Sequence, residues 1–185
     1  MTYEFFAMLT GEVEKREKAK DTAGAKRLGR IRDELLEMQR ELQQATQADR
    51  GWLVSAPVIQ QALTGQITRT RYVAFLTQAW HHVRETVPLM MATGSRLPPR
   101  LEWLRDQVTH YIEEETGHDH WILDDIRNAG GDAAAAARSR PNVSTDAMVA
   151  YAWDVAMRRN PVGFFGMVYV LEGTSVALAL NAADS

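Results

Sequence analysis

Apolar positions recur at intervals of three and four along almost the whole chain, and β-branched residues nowhere alternate with polar ones for long. That pattern predicts an all-α fold. Between Ala25 and Gln47, residues Leu28, Ile31, Leu35, Met38 and Leu42 fall at 3-4-3-4 spacing and draw one narrow seam along a long charged helix. Such a seam must pack on something, either the body of the domain or a twin subunit, and a homodimer is the expectation. Asp49-Arg50-Gly51 is read as the end of this helix. Residues 1–50 then form an N-terminal helical segment and residues 51–185 a helical bundle.

Within the bundle, Ser55 followed by Pro57 has the form of an N-cap with a first-turn proline, opening a short helix that stops near Gly65. Thr68 or Thr70 opens the next helix, which carries Tyr72, Val73, Phe75, Leu76, Trp80, Val83 and Val87 to about Gly94, with Pro88 as a point of bending. Pro98 and Pro99 start a helix of some thirty residues with Leu101, Leu104, Val108, Tyr111 and Ile122 on one face, closing at Asn128 and the Gly130-Gly131 pair. Asp132 to Pro141 reads as an alanine-rich connector. Ser144 caps a further helix through Arg158, and Asn160-Pro161 launches a last, nearly uncharged one.

Composition narrows the chemistry. The 185 residues include no cysteine, which removes thiol nucleophiles, iron–sulfur clusters, cysteine-type zinc sites and disulfides, and makes a reducing cytoplasm the expected setting. With 24 acidic against 21 basic side chains the chain has no basic excess to attract nucleic acid, and the early lysines and arginines alternate with acids as on a solvated helix face. The apolar patch Phe5, Phe6, Met8 and Leu9 lacks the basic flank and cleavage site of a signal peptide. The run from Asn160 to Ala183 is long enough to span a bilayer, but Glu172 and its glycines favour a soluble core helix, so no membrane partner is expected.

Three places carry candidate chemistry. If one helix runs through both Glu115 and His118, they share the face of Tyr111 and Ile122, which turns a carboxylate and an imidazole toward the core. The two residues pair with each other, with an arginine, or with something else that offsets the buried charge. Glu172 is the only charged side chain between Asn160 and Ala183, so a second helix sends a carboxylate inward. Two acids facing each other in a dry core repel unless one is protonated or a metal bridges them. A third helix holds His81, His82 and Glu85, of which His81 and Glu85 share a face. Carboxylates with a few histidines from different helices are how bundles build two-iron sites, and these hard donors suit Fe(II) or Mn(II). Asp125, two turns beyond His118, is placed either to orient a ligand or on the helix surface. Trp80, Trp121 and Trp153 read as core aromatics.

The segments YVAFLTQAWHHVRETVPLMMA (Tyr72–Ala92), EEETGHDHWILDDI (Glu113–Ile126) and GMVYVLEGTSVALA (Gly166–Ala179) resemble the heme-oxygenase-like diiron oxidases, or iron-containing redox enzymes. The resemblance covers about residues 51–185 and implies a heme-oxygenase-like helical bundle. It also implies a labile di-metal centre that activates O₂ to oxidise a small organic acid or amino acid. By the same resemblance Glu115, His118 and Glu172 match the motif's metal ligands, with Glu85 as the match on the earlier helix and His81 or His82 as its alternates. The family normally continues into a final helix with an Asp and a His that complete the second metal site. This chain reads as C-terminally short of it, by truncation, by supply from a partner subunit, or by loss of one metal. The N-terminal seam is then read as a cover for the groove that helix would fill.

Three other readings stand beside this one. A heme-binding or heme-degrading protein of this fold would take His81 or His82 as axial ligand, although three inward carboxylates suit a porphyrin poorly. A thiaminase-type hydrolase is disfavoured by the absence of cysteine. A catalytically inactive association protein would rest on the heptad-like seam.

Overall fold

The computed structural model describes residues 14–171, apart from the side chains of Leu35 and Met38. Glu172, the N-terminal patch Phe5–Leu9 and the second half of the last uncharged run therefore lie outside the described residues. Every regular element among the described residues is helical. The chain divides into two units, residues 1–55 and 56–185.

In the first unit, a short helical stretch over residues 14–18 leads to α1 (Thr22–Ala45) and α2 (Gln47–Val54). Asp21 caps α1 by accepting from the Gly24 amide at 2.9 Å and pairs with Arg16 at 3.0 Å. These two donors, the amide first, hold its carboxyl below the usual range. The helix ends at Thr46, whose hydroxyl donates to the Leu42 carbonyl, and not at Asp49-Arg50-Gly51, which lies inside α2. Along the seam Leu28 is half-buried, while Ile31 and Leu42 are exposed.

The second unit opens with α3 (Pro57–Leu63). Ser55 does not cap it, because its hydroxyl is spent on the Trp52 carbonyl of the preceding helix. Thr68 caps α4 (Arg69–Val83), which is followed by α5 (Thr86–Arg96). The predicted single helix is divided at Arg84-Glu85, one turn ahead of Pro88. A proline removes its own N–H and crowds the carbonyl four residues back, here that of Arg84, so the break falls there and not at the proline itself. A 3₁₀ turn at Pro99–Leu101 leads into α6 (Glu102–Glu115) and then α7 (His118–Asn128). The predicted thirty-residue helix is thus also two helices. Gly117, at φ +96°, separates them.

The connector after Asp132 contains α8 (Ala133–Arg138), capped by the Asp132 carboxylate. Asn142, not Ser144, caps α9 (Val143–Arg158). Asn160 and Pro161 start a 3₁₀ turn through Gly163, and α10 occupies residues 164–171.

These elements enclose two apolar clusters. The first joins Leu89, Met90 and Leu97 of the α5 region, Val108 of α6, Ala152 and Ala156 of α9, and Phe164 of α10. The second joins Leu76 of α4, Ile126 of α7, and Ala133 and Ala136 of α8. Helices α4–α5 and α6–α7 pair as a hairpin, α5 on α6 and α4 on α7. Each arm passes from one cluster to the other, and each is broken on the way.

Fixed polar contacts close the helix ends. Arg105 donates from Nε to the Gly94 carbonyl at 3.0 Å and also reaches the Leu97 carbonyl, satisfying the end of α5. Arg96 bonds the Arg159 carbonyl at 3.2 Å and the Ala156 carbonyl beside it, which ties α5 to the end of α9. Gly131 has no room for a side chain: a Cβ there would meet Val73 at 2.8 Å and Ile126 at 3.0 Å, which is how closely the turn after α7 lies on α4.

Candidate metal centre

The buried stripe of α6 runs Leu104, Val108, Tyr111 and reaches Glu115 at the last residue of the helix. The stripe of α7 begins at His118 and continues to Ile122 and Ile126. Glu115 and His118 therefore occupy the join between the two apolar clusters, and their side chains are 18% and 31% exposed. His118 donates its Nδ1–H to Oε2 of Glu115 at 2.9 Å. They meet because Thr116 is extended and Gly117 left-handed, which lets α7 start with its first side chain turned back toward the end of α6. The helical register predicted the same meeting through one continuous helix, and that path does not exist.

Glu85 lies at the other break, between α4 and α5. Its Oε2 accepts from the Trp153 indole N–H at 3.2 Å and its Oε1 from Arg84 Nε at 3.3 Å. The Arg84 guanidinium in turn stands over the Trp80 ring, 4.8 Å from its centroid. Both carboxylate oxygens of Glu85 are thus engaged by donors of its own surroundings. Among the described residues no three His, Asp or Glu side chains gather closely enough to hold an ion, so Glu85 is not brought together with the Glu115–His118 pair.

His81 is 3% exposed and bonds Ser139 Oγ through Nε2 at 2.9 Å. The Ser139 hydroxyl gives its proton to the Ala136 carbonyl at 2.7 Å, so it must accept from His81, which assigns the Nε2–H tautomer. Burial first, and then the charge of Arg84, push the His81 imidazole below its ordinary pKa. His82 is half-buried; burial lowers it too, against an opposing backbone bond at Gln78. Asp125 is exposed on α7. The ring that lies on His118 is that of Trp121, with centroids 4.4 Å apart. Trp121 is 64% exposed, which corrects its placement in the core, whereas Trp80 is buried and Trp153 half-buried.

Sequence reasoning missed three partners. Trp121 had a local signal, since it stands three residues after His118 and off the Ile122–Ile126 face. Ser139 and Trp153 had none, because their partners lie 58 and 68 residues away.

An all-helical bundle with a carboxylate and an imidazole joined at the meeting of its two cores defines a class of protein that can carry a metal between helices. The family model of the iron-containing redox enzymes matches residues 73–185, and the chain belongs to that family. It is also similar to a crystal structure of a domain of unknown function with a heme oxygenase-like fold from Shewanella denitrificans. That similarity has a TM-score of 0.61 at 24% identity, covering 82% of this chain and 66% of that one, and it establishes the fold. Among curated proteins none matches.

The donor pair fits the family's metal. The 2.9 Å between Nδ1 and Oε2 is spanned by a hydrogen bond, so an ion shared by these two atoms would take the place of the Nδ1 proton. Carboxylate oxygen with imidazole nitrogen is a donor set suited to iron. Among the described residues no helix is long and apolar enough to cross a membrane.

Proposed function

We propose that this chain is a non-heme iron oxidase or oxygenase in which Glu115, His118 and Glu172 hold Fe(II), with O₂ and a small organic acid or amino acid as substrates. The observation that carries this reading is the Glu115–His118 contact at 2.9 Å, made at the join of two apolar clusters in a member of an iron-containing redox family. Iron held there by these residues would supply the redox chemistry through which O₂ is reduced at the expense of the substrate. The chain's own part is to bring a carboxylate and an imidazole together at a half-buried helix break, where a carboxylate attracts a cation more strongly than in bulk water.

Glu85 is the proposed ligand from the earlier helix, with one ion or two at the centre. Each of its oxygens accepts one hydrogen bond, from Trp153 or Arg84, and keeps a second lone pair for an ion, so these two residues would orient the carboxylate. Mn(II) would fit the same donors. The heme reading is weaker on the observed geometry: His81 is deeply buried and its Nε2 is committed to Ser139.

Protein loaded with Fe(II) under anaerobic conditions, then exposed to O₂ with a panel of small carboxylic and amino acids, tests the proposal through O₂ consumption. At least one acid should accelerate uptake, and His118→Ala and Glu172→Ala should abolish that acceleration with helical content intact. A Soret band on adding hemin, with no response to Fe(II), would replace this reading with the heme one.

A further inference from the structure

His118 is the first residue of α7, and the left-handed Gly117 precedes it. Within a helix the preceding turn restricts a side chain's χ1. His118 has no such turn, so its ring must be fixed from elsewhere. The hydrogen bond from Nδ1 to Glu115 fixes one atom of the imidazole but leaves the ring able to swing about the Nδ1–Oε2 line. A ring packed against the imidazole limits that freedom. Trp121 supplies one: its indole lies against the imidazole with centroids 4.4 Å apart and planes inclined at 36°. A helical side chain covers the turn N-terminal to its own Cα, which puts Trp121 over the first turn of α7, where His118 sits.

Folding does not account for Trp121 at this position. The inward face of α7 is made by Ile122, Leu123 and Ile126, while Trp121 leaves 64% of its surface in solvent. Little apolar burial is gained by a ring so exposed.

We propose that Trp121 is a positioning residue for His118: its indole holds the imidazole in the orientation that turns Nδ1 to Glu115, and covers the solvent side of the pair. This rests on the reading of His118 as a metal ligand only for its functional consequence, because the ring contact itself is observable without metal.

The test uses the full chain with Trp121→Ala, Trp121→Phe and, as a control, Trp103→Ala on α6, which removes a comparably exposed indole. Mn²⁺ alone is titrated and the free ion followed by electron paramagnetic resonance. Trp121→Ala should weaken binding about tenfold or more, the usual effect of losing a residue that orients a ligand. Trp121→Phe, which keeps a flat ring, should restore most of it, and Trp103→Ala should match the wild type. In parallel, ring signals of His118 are recorded by nuclear magnetic resonance on metal-free protein, where losing the indole should shift them downfield. Equal Mn²⁺ affinity in wild type and Trp121→Ala overturns the proposal and leaves the metal site standing. If the wild type takes up no Mn²⁺ or iron, the metal reading fails and the ring signals decide: a shift confined to Trp121→Ala supports the ring contact, and unchanged signals remove it.

Discussion

His118 Nδ1 lies 2.9 Å from Glu115 Oε2, and the contact spans the extended Thr116 and left-handed Gly117 at a helix break. Helix α6 is seated by its stripe in one apolar cluster and α7 in the other. The position of each donor is therefore set by a different core. The pair reports how the two clusters are aligned.

Gly117 is the hinge of that alignment. Nothing lies within 4 Å of a Cβ built there, so Gly117→Ala is opposed only by the backbone, which at φ +96° disfavours any L side chain. A loss of about 1–2 kcal/mol in unfolding free energy is expected in urea titrations. Gly117→Asn should lose less, because asparagine enters left-handed conformations more readily. Equal stability of Gly117→Ala and wild type would contradict the observed turn.

Trp153 ties Glu85, at the break between α4 and α5, to α9. Trp153→Phe keeps the ring and deletes the indole donor, so the carboxylate retains only Arg84. The expected loss is about 1 kcal/mol, measured by chemical denaturation. If Glu85 is also a ligand oriented by this bond, Mn²⁺ affinity should fall as well.

Phe164 is 1% exposed and closes the first cluster against Ala152 and Ala156. Phe164→Ala should cost about 3–5 kcal/mol, read as a lower urea midpoint at unchanged slope. A loss under about 1 kcal/mol would mean that α10 does not pack on α9 as described.

Stability should fall as the medium is acidified below about pH 6.5. Burial lowers the folded-state pKa of both His81 and His82, so on acidification the unfolded chain takes up these protons before the folded one does. Their contribution is neutral above the unfolded-state pKa and destabilising below it, levelling off once the folded-state values are passed. The steepest slope is about 1.4 kcal/mol per pH unit for each histidine. Urea titrations between pH 7.5 and 5 check this, with His81→Gln expected to show a shallower dependence than wild type.

Much of this was legible in the sequence because it is local. Thr68 and the Asn160-Pro161 pair announce their helix starts through side-chain chemistry within three residues. The inward turn of Glu115 and of His118 follows from stripe spacing on either side of the break. The break itself was missed because Gly117 sits in an uninterrupted helical pattern, and periodicity does not register a change of φ at one residue. Pro88 gave a true signal of interruption, but the strain is relieved one turn earlier. Asn142 and Ser144 are both good caps, and the choice between them is made partly by the Asn142 amide, which donates to Gln78 of α4, a contact no local pattern contains. Trp121 was assigned to the core by residue type, although its position on α7 turns it outward.

The most direct test of the account is the iron content of wild-type protein after anaerobic Fe(II) loading and removal of loose metal, set beside Glu115→Ala and His118→Ala. Wild type is predicted to retain one or two iron atoms per chain and both variants to fall to background with their helical content unchanged. Background iron in all three, or equal retention in all three, would contradict the claim that this pair holds the metal.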